Sequence, residues 1–361
     1  MKKGLVMSRK IVHVVGTGTI GEPLIGLLCD FKEDLGIDEV SFHKNTPLTT
    51  DRSKVRSLLN RGARLTAHEH KFEGFKNIGI KPEFSTIEAV DRASVVIDCT
   101  PKGFGHENKK LYYEKYLHNT LGFVAQGSEF GFGKMYARGI NDNSLISKED
   151  RFIQVVSCNT HNLSTLVQTL ALNEDKDNLI EGRFNLIRRS NDVSQTSKFI
   201  PSPQVGSHKD QIYGTHHARD AALLFKTMNY DLNIFSSAMI VNTQYMHILH
   251  FYIKVKNNTT IDNVIDKLDK NDRVALTDKV NANEVFSFGR DHGHFGRIMN
   301  QTVVSLPSLN IRNKNEITGF CFTPQDGNSL LSSIAITEWF LYPNSYKNKI
   351  QCLSPYFFDE V

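Results

Sequence analysis

Ile11-Val-His-Val-Val-Gly-Thr-Gly-Thr-Ile-Gly21 is the stretch that decides the fold. Ile11 to Val15 reads as a strand. Gly16, Gly18 and Gly21 then stand at Gly-x-Gly-x-x-Gly spacing, and an apolar helix follows with Leu24, Ile25, Leu27 and Leu28. Glycines here permit a tight turn and close approach of the backbone, and the helix N-terminus offers free N–H groups to a pyrophosphate. Such spacing also occurs in turns that bind nothing. Its place between a strand and a helix favours the dinucleotide reading.

Outward from this turn, the chain alternates strands with helices. Glu39 to Lys44 is the next strand, and it ends in His43-Lys44-Asn45 without a carboxylate. NAD-specific folds usually place an acid there for the ribose 2′-hydroxyl. Lys44 is therefore available to a 2′-phosphate, and NADP is expected to be accepted, with NAD as a second cofactor. A solvated surface charge is the equally ordinary reading of Lys44. Leu58 to His70 reads as a polar-rich helix. Strands at Ser94–Cys99 and Leu121–Ala125 lead into Thr100-Pro101-Lys-Gly103 and Gln126-Gly127-Ser128, both at carboxyl ends where such sheets bind ligands.

The chain of 361 residues suffices for two domains. Its 40% hydrophobic and 23% charged content is that of a globular protein, and a net charge of +4 is too small to argue for nucleic acid. Five scattered cysteines without CxxC argue for reduced thiols in a cytosol, and against disulfides or a structural zinc; no metal is expected. Met1 to Lys10 is too weakly apolar for a signal peptide, and no run reaches the length of a membrane span.

A second decisive stretch is Phe152-Ile-Gln-Val-Val-Ser-Cys-Asn-Thr160. Phe152 to Val156 reads as a buried strand, and Leu163, Leu166, Val167 and Leu170 as the apolar face of a helix that follows. Cys158 then falls in or near the first helical turn, where amide N–H groups and the dipole favour a thiolate. A cysteine that only packs is the commoner case. The polar company of Ser157, Asn159, Thr160 and His161 favours a nucleophile. Beyond this helix the pattern becomes strand-rich, with strands at Phe184–Arg189, Ser236–Val241 and Met246–Lys256 and an irregular stretch from Lys198 to Arg219. In the third strand His247 shares a face with Leu249, Phe251, Ile253 and Val255, while His250 points the other way. A helix over Asn328–Trp339 follows. The expected fold is an α/β Rossmann nucleotide-binding domain plus an α+β catalytic domain with a mixed or antiparallel sheet. The first is expected over residues 1–156, completed by the C-terminal helix region 325–361, and the second over 157–324.

The chain resembles archaeal-type (type II) glyceraldehyde-3-phosphate dehydrogenase over nearly its whole length. The residues that carry the likeness are Gly16-Thr-Gly-Thr-Ile-Gly21, Ala125-Gln-Gly127, Val155-Val-Ser-Cys-Asn-Thr160, Ile187-Arg-Arg189, Thr215-His-His217, Val241 through Met246-His247, and Phe288-Gly-Arg-Asp291. The resemblance implies that Thr19, Ile20 and Gly127 contact the nucleotide, with Arg189 at the cofactor and Gln325 at its nicotinamide end. It implies Cys158 as nucleophile and His247 as the catalytic histidine, taken here as a general base. Ser157, Asn159 and Thr160 would lie beside the substrate, and His216, His217 and Ala218 near its phosphate. It implies a cytosolic homotetramer that uses NADP or NAD, acts on a phosphorylated aldehyde and inorganic phosphate, and passes through a thioester in glycolysis or gluconeogenesis. The chain departs from the pattern at His161 and Asn162, after Arg189, and in a longer Pro203–Thr215 segment. A neighbouring semialdehyde or acyl-phosphate reductase, and a nucleotide-binding redox sensor, are the alternatives.

Overall fold

The computed structural model describes residues 9–173, 175–192, 195, 199–324 and 326–361. They divide into two units. The first takes in Met1–Lys134, Ile146–Gln154 and Ser333–Cys352; the second takes in Met135–Leu145, Val155–Ser332 and Leu353–Val361. Gln325 and the stretch Met1–Ser8 lie outside the described residues.

The first sheet uses β1 (Ile11–Val15), β2 (Glu39–His43), β3 (Arg64–Ala67), β4 (Phe84–Ser85), β5 (Val95–Asp98), β6 (Gly122–Ala125), β7 (Lys134–Tyr136) and β8 (Phe152–Val155). Their order is β4-β3-β2-β1-β5-β6-β8-β7. From β4 to β8 every pairing is parallel. Strands buried on both faces explain the mostly apolar runs of β1, β5 and β6, in which His13 and Asp98 are buried too. Helices α1 (Gly21–Asp30), α2 (Lys32–Leu35), α3 (Arg52–Asn60), α4 (Phe72–Asn77), α5 (Thr86–Arg92) and α6 (Phe104–Leu111) make the connections. Chain order reverses between β1 and β5, so the loops after these strands flank the crevice where such sheets take ligands.

One expected element is corrected. Leu58 to His70 is not a single helix: α3 stops at Asn60, Gly62 turns the chain at φ +93°, and Arg64–Ala67 forms β3 between β2 and β4. Left-handed backbone at Gly62 ends the helix, and four residues are too few to show a strand period.

Ser333–Cys352 also belongs to this unit. There Gln126 Nε2 donates to Ser333 Oγ at 3.1 Å, and the Phe340 ring fills the space where Gly122 lacks a side chain. Glu338 is fully buried, and neither carboxylate oxygen has a hydrogen-bond partner. Burial pushes its carboxyl up to about 8 against the pull of Lys349 and Lys10.

The second unit holds a mixed sheet, as its strand-rich sequence suggested. Its strands are β9 (Leu179–Arg188), β10 (Gln204–Val205), β11 (Ile234–Ile240), β12 (His247–Val255), β13 (Val274–Thr277), β14 (Thr302–Ser305), β15 (Asn310–Arg312) and β16 (Glu316–Thr323). They run in the order β10-β11-β9-β12-β16-β14-β13, with β15 on β16. β9 is parallel to β11, and β12 is antiparallel to both β9 and β16. Helices α7 (Cys158–Val167), α8 (His216–Lys226), α9 (Ile261–Asp269) and α10 (Ala282–His292) belong to this unit, as do the first residues of α11 (Gly327–Leu341). Leu163, Leu166 and Leu170 pack with Leu186, Leu249 and Phe251 in its core. The stretch expected to be irregular up to Arg219 is helical from His216, because the Thr215 hydroxyl accepts from His217 N and starts α8. Among the described residues no helix is long and apolar enough to cross a membrane.

Candidate active site

In the first unit, the three glycines divide their work. Gly16 has φ +101°, and a Cβ there would lie 3.0 Å from the Cys99 carbonyl oxygen. A Cβ on Gly21 would lie 2.1 Å from the Gly16 oxygen, so the turn closes on itself only with glycine at that point. Gly18 is different: a Cβ would meet nothing within 4 Å. That is the open, side-chain-free surface a pyrophosphate needs, beside the uncapped start of α1. Thr19 and Ile20 complete this turn, whose Gly16 N–H is tied to the His43 carbonyl at the end of β2. Gly127 sits half-buried in the turn after β6. Lys44, at the end of β2, is not free: its ammonium lies 2.6 Å from Asp51. The residues present fit a dinucleotide.

In the second unit, Ser157 caps α7. Its hydroxyl accepts from Thr160 N at 3.4 Å, and it stands 2.9 Å from Thr160 Oγ1 and 3.4 Å from His217 Nδ1. Cys158 is the first helical residue and is half-buried. Asn328 Nδ2 donates to its carbonyl at 3.0 Å. The expected thiolate-favouring environment is corrected here. Burial pushes the thiol up to about 12; Asp326 and Asp192 add to the rise, and Arg189 and Arg188 oppose it. Desolvation and a buried carboxylate thus work against the partial charges of the helix start.

Arg189 is the hub of this site. It is nearly fully buried, its guanidinium lies 2.8 Å from Asp192 and 3.5 Å from Asp326, and its backbone N–H donates to His247 Nδ1 at 3.0 Å. The last bond has a consequence. A ring nitrogen that accepts from a backbone N–H carries no proton, so neutral His247 holds its hydrogen on Nε2. Burial and the two arginines hold the ring well below the usual histidine range. Nε2 is therefore a donor, which opposes the expectation of a general base. His250 lies on the other face of β12, against Thr318 and Asn185.

His217 is also kept neutral, chiefly by burial, and its Nε2 is buried without a partner. Arg188 Nε and Arg189 Nε are likewise buried and unpartnered. A cavity of about 420 Å³ is lined by Arg188, Lys209, Thr215, His216, His217 and Arg219, among others. His216 stacks at a tilt on His217, 3.9 Å between ring centres. Unsatisfied buried donors beside a cationic cavity suit an anion, since each costs free energy until an acceptor arrives.

Not every expected residue reaches this cavity. Asn159 and Thr160 are buried, and Asn159 Oδ1 accepts from Thr323 Oγ1, so its oxygen serves the core. Ala218 N–H is used by Ser236 Oγ at 3.2 Å. Sequence reasoning missed Asp326 and Lys209. Asp326 reaches the site from a left-handed backbone position at φ +57°, which no periodicity signals. Among the described residues no group of His, Cys, Asp or Glu is placed to hold a metal.

A parallel dinucleotide-type sheet and a mixed sheet with a cysteine at a helix start define a class of dinucleotide-linked oxidoreductases. No family model matches the chain. It is 30% identical over 277 residues to a glyceraldehyde-3-phosphate dehydrogenase of Methanothermus fervidus, covering 74% of this chain and 73% of that relative. Relatives of the same name from Pyrobaculum islandicum and Sulfolobus acidocaldarius are each 26% identical, over 314 and 313 residues and more than four-fifths of each chain. The chain belongs to the glyceraldehyde-3-phosphate dehydrogenase family, in its archaeal type.

Proposed function

We propose that this chain is a phosphorylating, NAD(P)-dependent glyceraldehyde-3-phosphate dehydrogenase that interconverts glyceraldehyde 3-phosphate plus phosphate with 1,3-bisphosphoglycerate. The observation that carries this reading is the set of buried, unpartnered nitrogens, two of them arginine donors, on Arg188, Arg189 and His217 around a helix-start cysteine. We read the first unit as the dinucleotide domain, with Gly16, Gly18, Thr19, Ile20, Gly21 and Gly127 at the nucleotide, and the second as catalytic. A bound nicotinamide supplies the hydride acceptor.

The protein's own steps follow from its chemistry. The Cys158 thiol first loses its proton to solvent, helped by Arg189 and Arg188 and hindered by Asp326. The thiolate sulfur bonds the aldehyde carbon, and the oxygen becomes an alkoxide. His247 Nε2–H donates to that oxygen, which stabilises the charge without moving a proton. Hydride departs from the same carbon, and a thioester on Cys158 remains. A phosphate oxygen then attacks the thioester carbon, the C–S bond breaks, and acyl phosphate and thiolate separate. Arg188, His216 and His217 hold the phosphate groups.

The test is an assay with glyceraldehyde 3-phosphate and NADP or NAD. Turnover that requires inorganic phosphate supports the reading; equal turnover without it points to simple oxidation. Operation in glycolysis and gluconeogenesis, in the cytoplasm, as a homotetramer, is part of the same proposal, and light scattering of the purified chain tests the tetramer.

A further inference from the structure

We propose that Asp51, in the turn before α3, sets this chain's choice between the two dinucleotides by weakening the hold on a 2′-phosphate. The inference rests on the reading of the first unit as a dinucleotide-binding domain. In such folds the selecting group lies at the end of β2. The residues directly after β2 offer Lys44 and no acid, yet folding brings one there. Lys44 Nζ lies 2.6 Å from Asp51 Oδ2, and the lysine side chain is nearly buried. The other Asp51 oxygen lies 3.8 Å from Lys54. Lys54 in turn lies 3.4 Å from Glu22 and donates to the Thr17 carbonyl, inside the glycine turn. A line of alternating charge thus runs from the end of β2 to the pyrophosphate turn, two lysines against two carboxylates.

The side-chain capping bond usual for an aspartate at this point is absent. Asp51 occupies the N-cap position of α3 but makes no side-chain capping bond. Its carboxylate is committed to the lysines instead.

The physical consequence separates the two dinucleotides. A 2′-phosphate carries nearly two negative charges and needs Lys44, which Asp51 already neutralises. Binding must break or share that ion pair, bringing a second anion to a lysine that already holds one. His43 supplies no further cation, because burial keeps its ring neutral. A 2′-hydroxyl has no such conflict. It donates to a carboxylate that has lone pairs to spare beside its lysine bond.

Calorimetric titration of the full chain with NADP and with NAD reads binding without turnover. Asp51→Asn and Asp51→Ala should each tighten NADP by roughly tenfold, the scale of one partly screened charge, while NAD, which loses a hydrogen-bond acceptor, weakens by about threefold. The fragment 2′,5′-ADP should follow NADP. Adding Lys44→Met to Asp51→Asn should erase the gain. Thermal melts check that the variants fold, and Asp51→Ser is a second neutral replacement. Equal changes for both dinucleotides, or no change for either, would overturn the role of Asp51. Failure of the unmutated chain to bind either one would instead overturn the dinucleotide reading beneath it.

Discussion

Burial, and after it Asp326, push the Cys158 thiol up. Its alkylation by iodoacetamide should therefore climb with pH to at least 10 without a plateau near 7, since only the thiolate reacts. Asp326→Asn removes the largest charged contribution to the rise and leaves Arg189 less engaged. Alkylation at pH 8 should then speed up by roughly tenfold, one pKa unit; a slower variant would show that Asp326 serves the thiol differently. For His247, replacement by Asn should lower kcat by about 10²-fold or more, while His250→Asn stays within a small factor. A neutral donor also predicts a particular pH profile. The ring is held well below its ordinary value, so kcat should show no acid limb near pH 6.5 that His247→Asn abolishes. Such a limb would restore the base. The alternation in β12 made the two histidines' faces legible from sequence alone. The proton's position was not legible, because it depends on the Arg189 backbone, which lies on another strand end. Asp326 escaped for the same reason, since its partner Arg189 is distant in sequence, whereas Asp51 pairs with the nearby Lys44 and Lys54 but has no motif to mark it.

At the scale of elements, the glycine turn allows a contrast between two substitutions of the same size. Gly18→Ala adds a methyl to open space, so the fold should hold and the melting temperature should barely move. Dinucleotide affinity should nonetheless fall by roughly tenfold or more, because the methyl stands where the pyrophosphate approaches. Gly21→Ala instead drives a Cβ into the Gly16 oxygen and should cost stability before binding is even tested. Paired melts and titrations check both; an unchanged affinity in Gly18→Ala would remove the pyrophosphate from that surface. The strong elements were readable because strand, turn and helix signals coincided in a few residues, as at Ile11 to Asp30. β3 was not, since Arg64–Ala67 gains its identity from pairing with β2 and β4 rather than from its own pattern. The start of α8 was hidden likewise, behind two histidines that read as loop.

For the whole molecule, acid–base balance and stability meet at Glu338. Its folded pKa stands near 8 against an ordinary 4.5. Raised in the folded state, it contributes stability fully below the unfolded value, and this is lost as pH climbs through about 8. The melting temperature should fall between about pH 5 and 8 and level off above that, and Glu338→Gln should flatten the slope. A slope unchanged by the substitution would assign the effect elsewhere. There is also a calorimetric signature. Near pH 7 the native chain keeps a proton that the denatured chain discards, so each molecule that melts hands about one hydrogen ion to the buffer. Two buffers of unequal protonation heat should then report different melting enthalpies at one pH, smaller in Tris than in phosphate, and Glu338→Gln should bring them together.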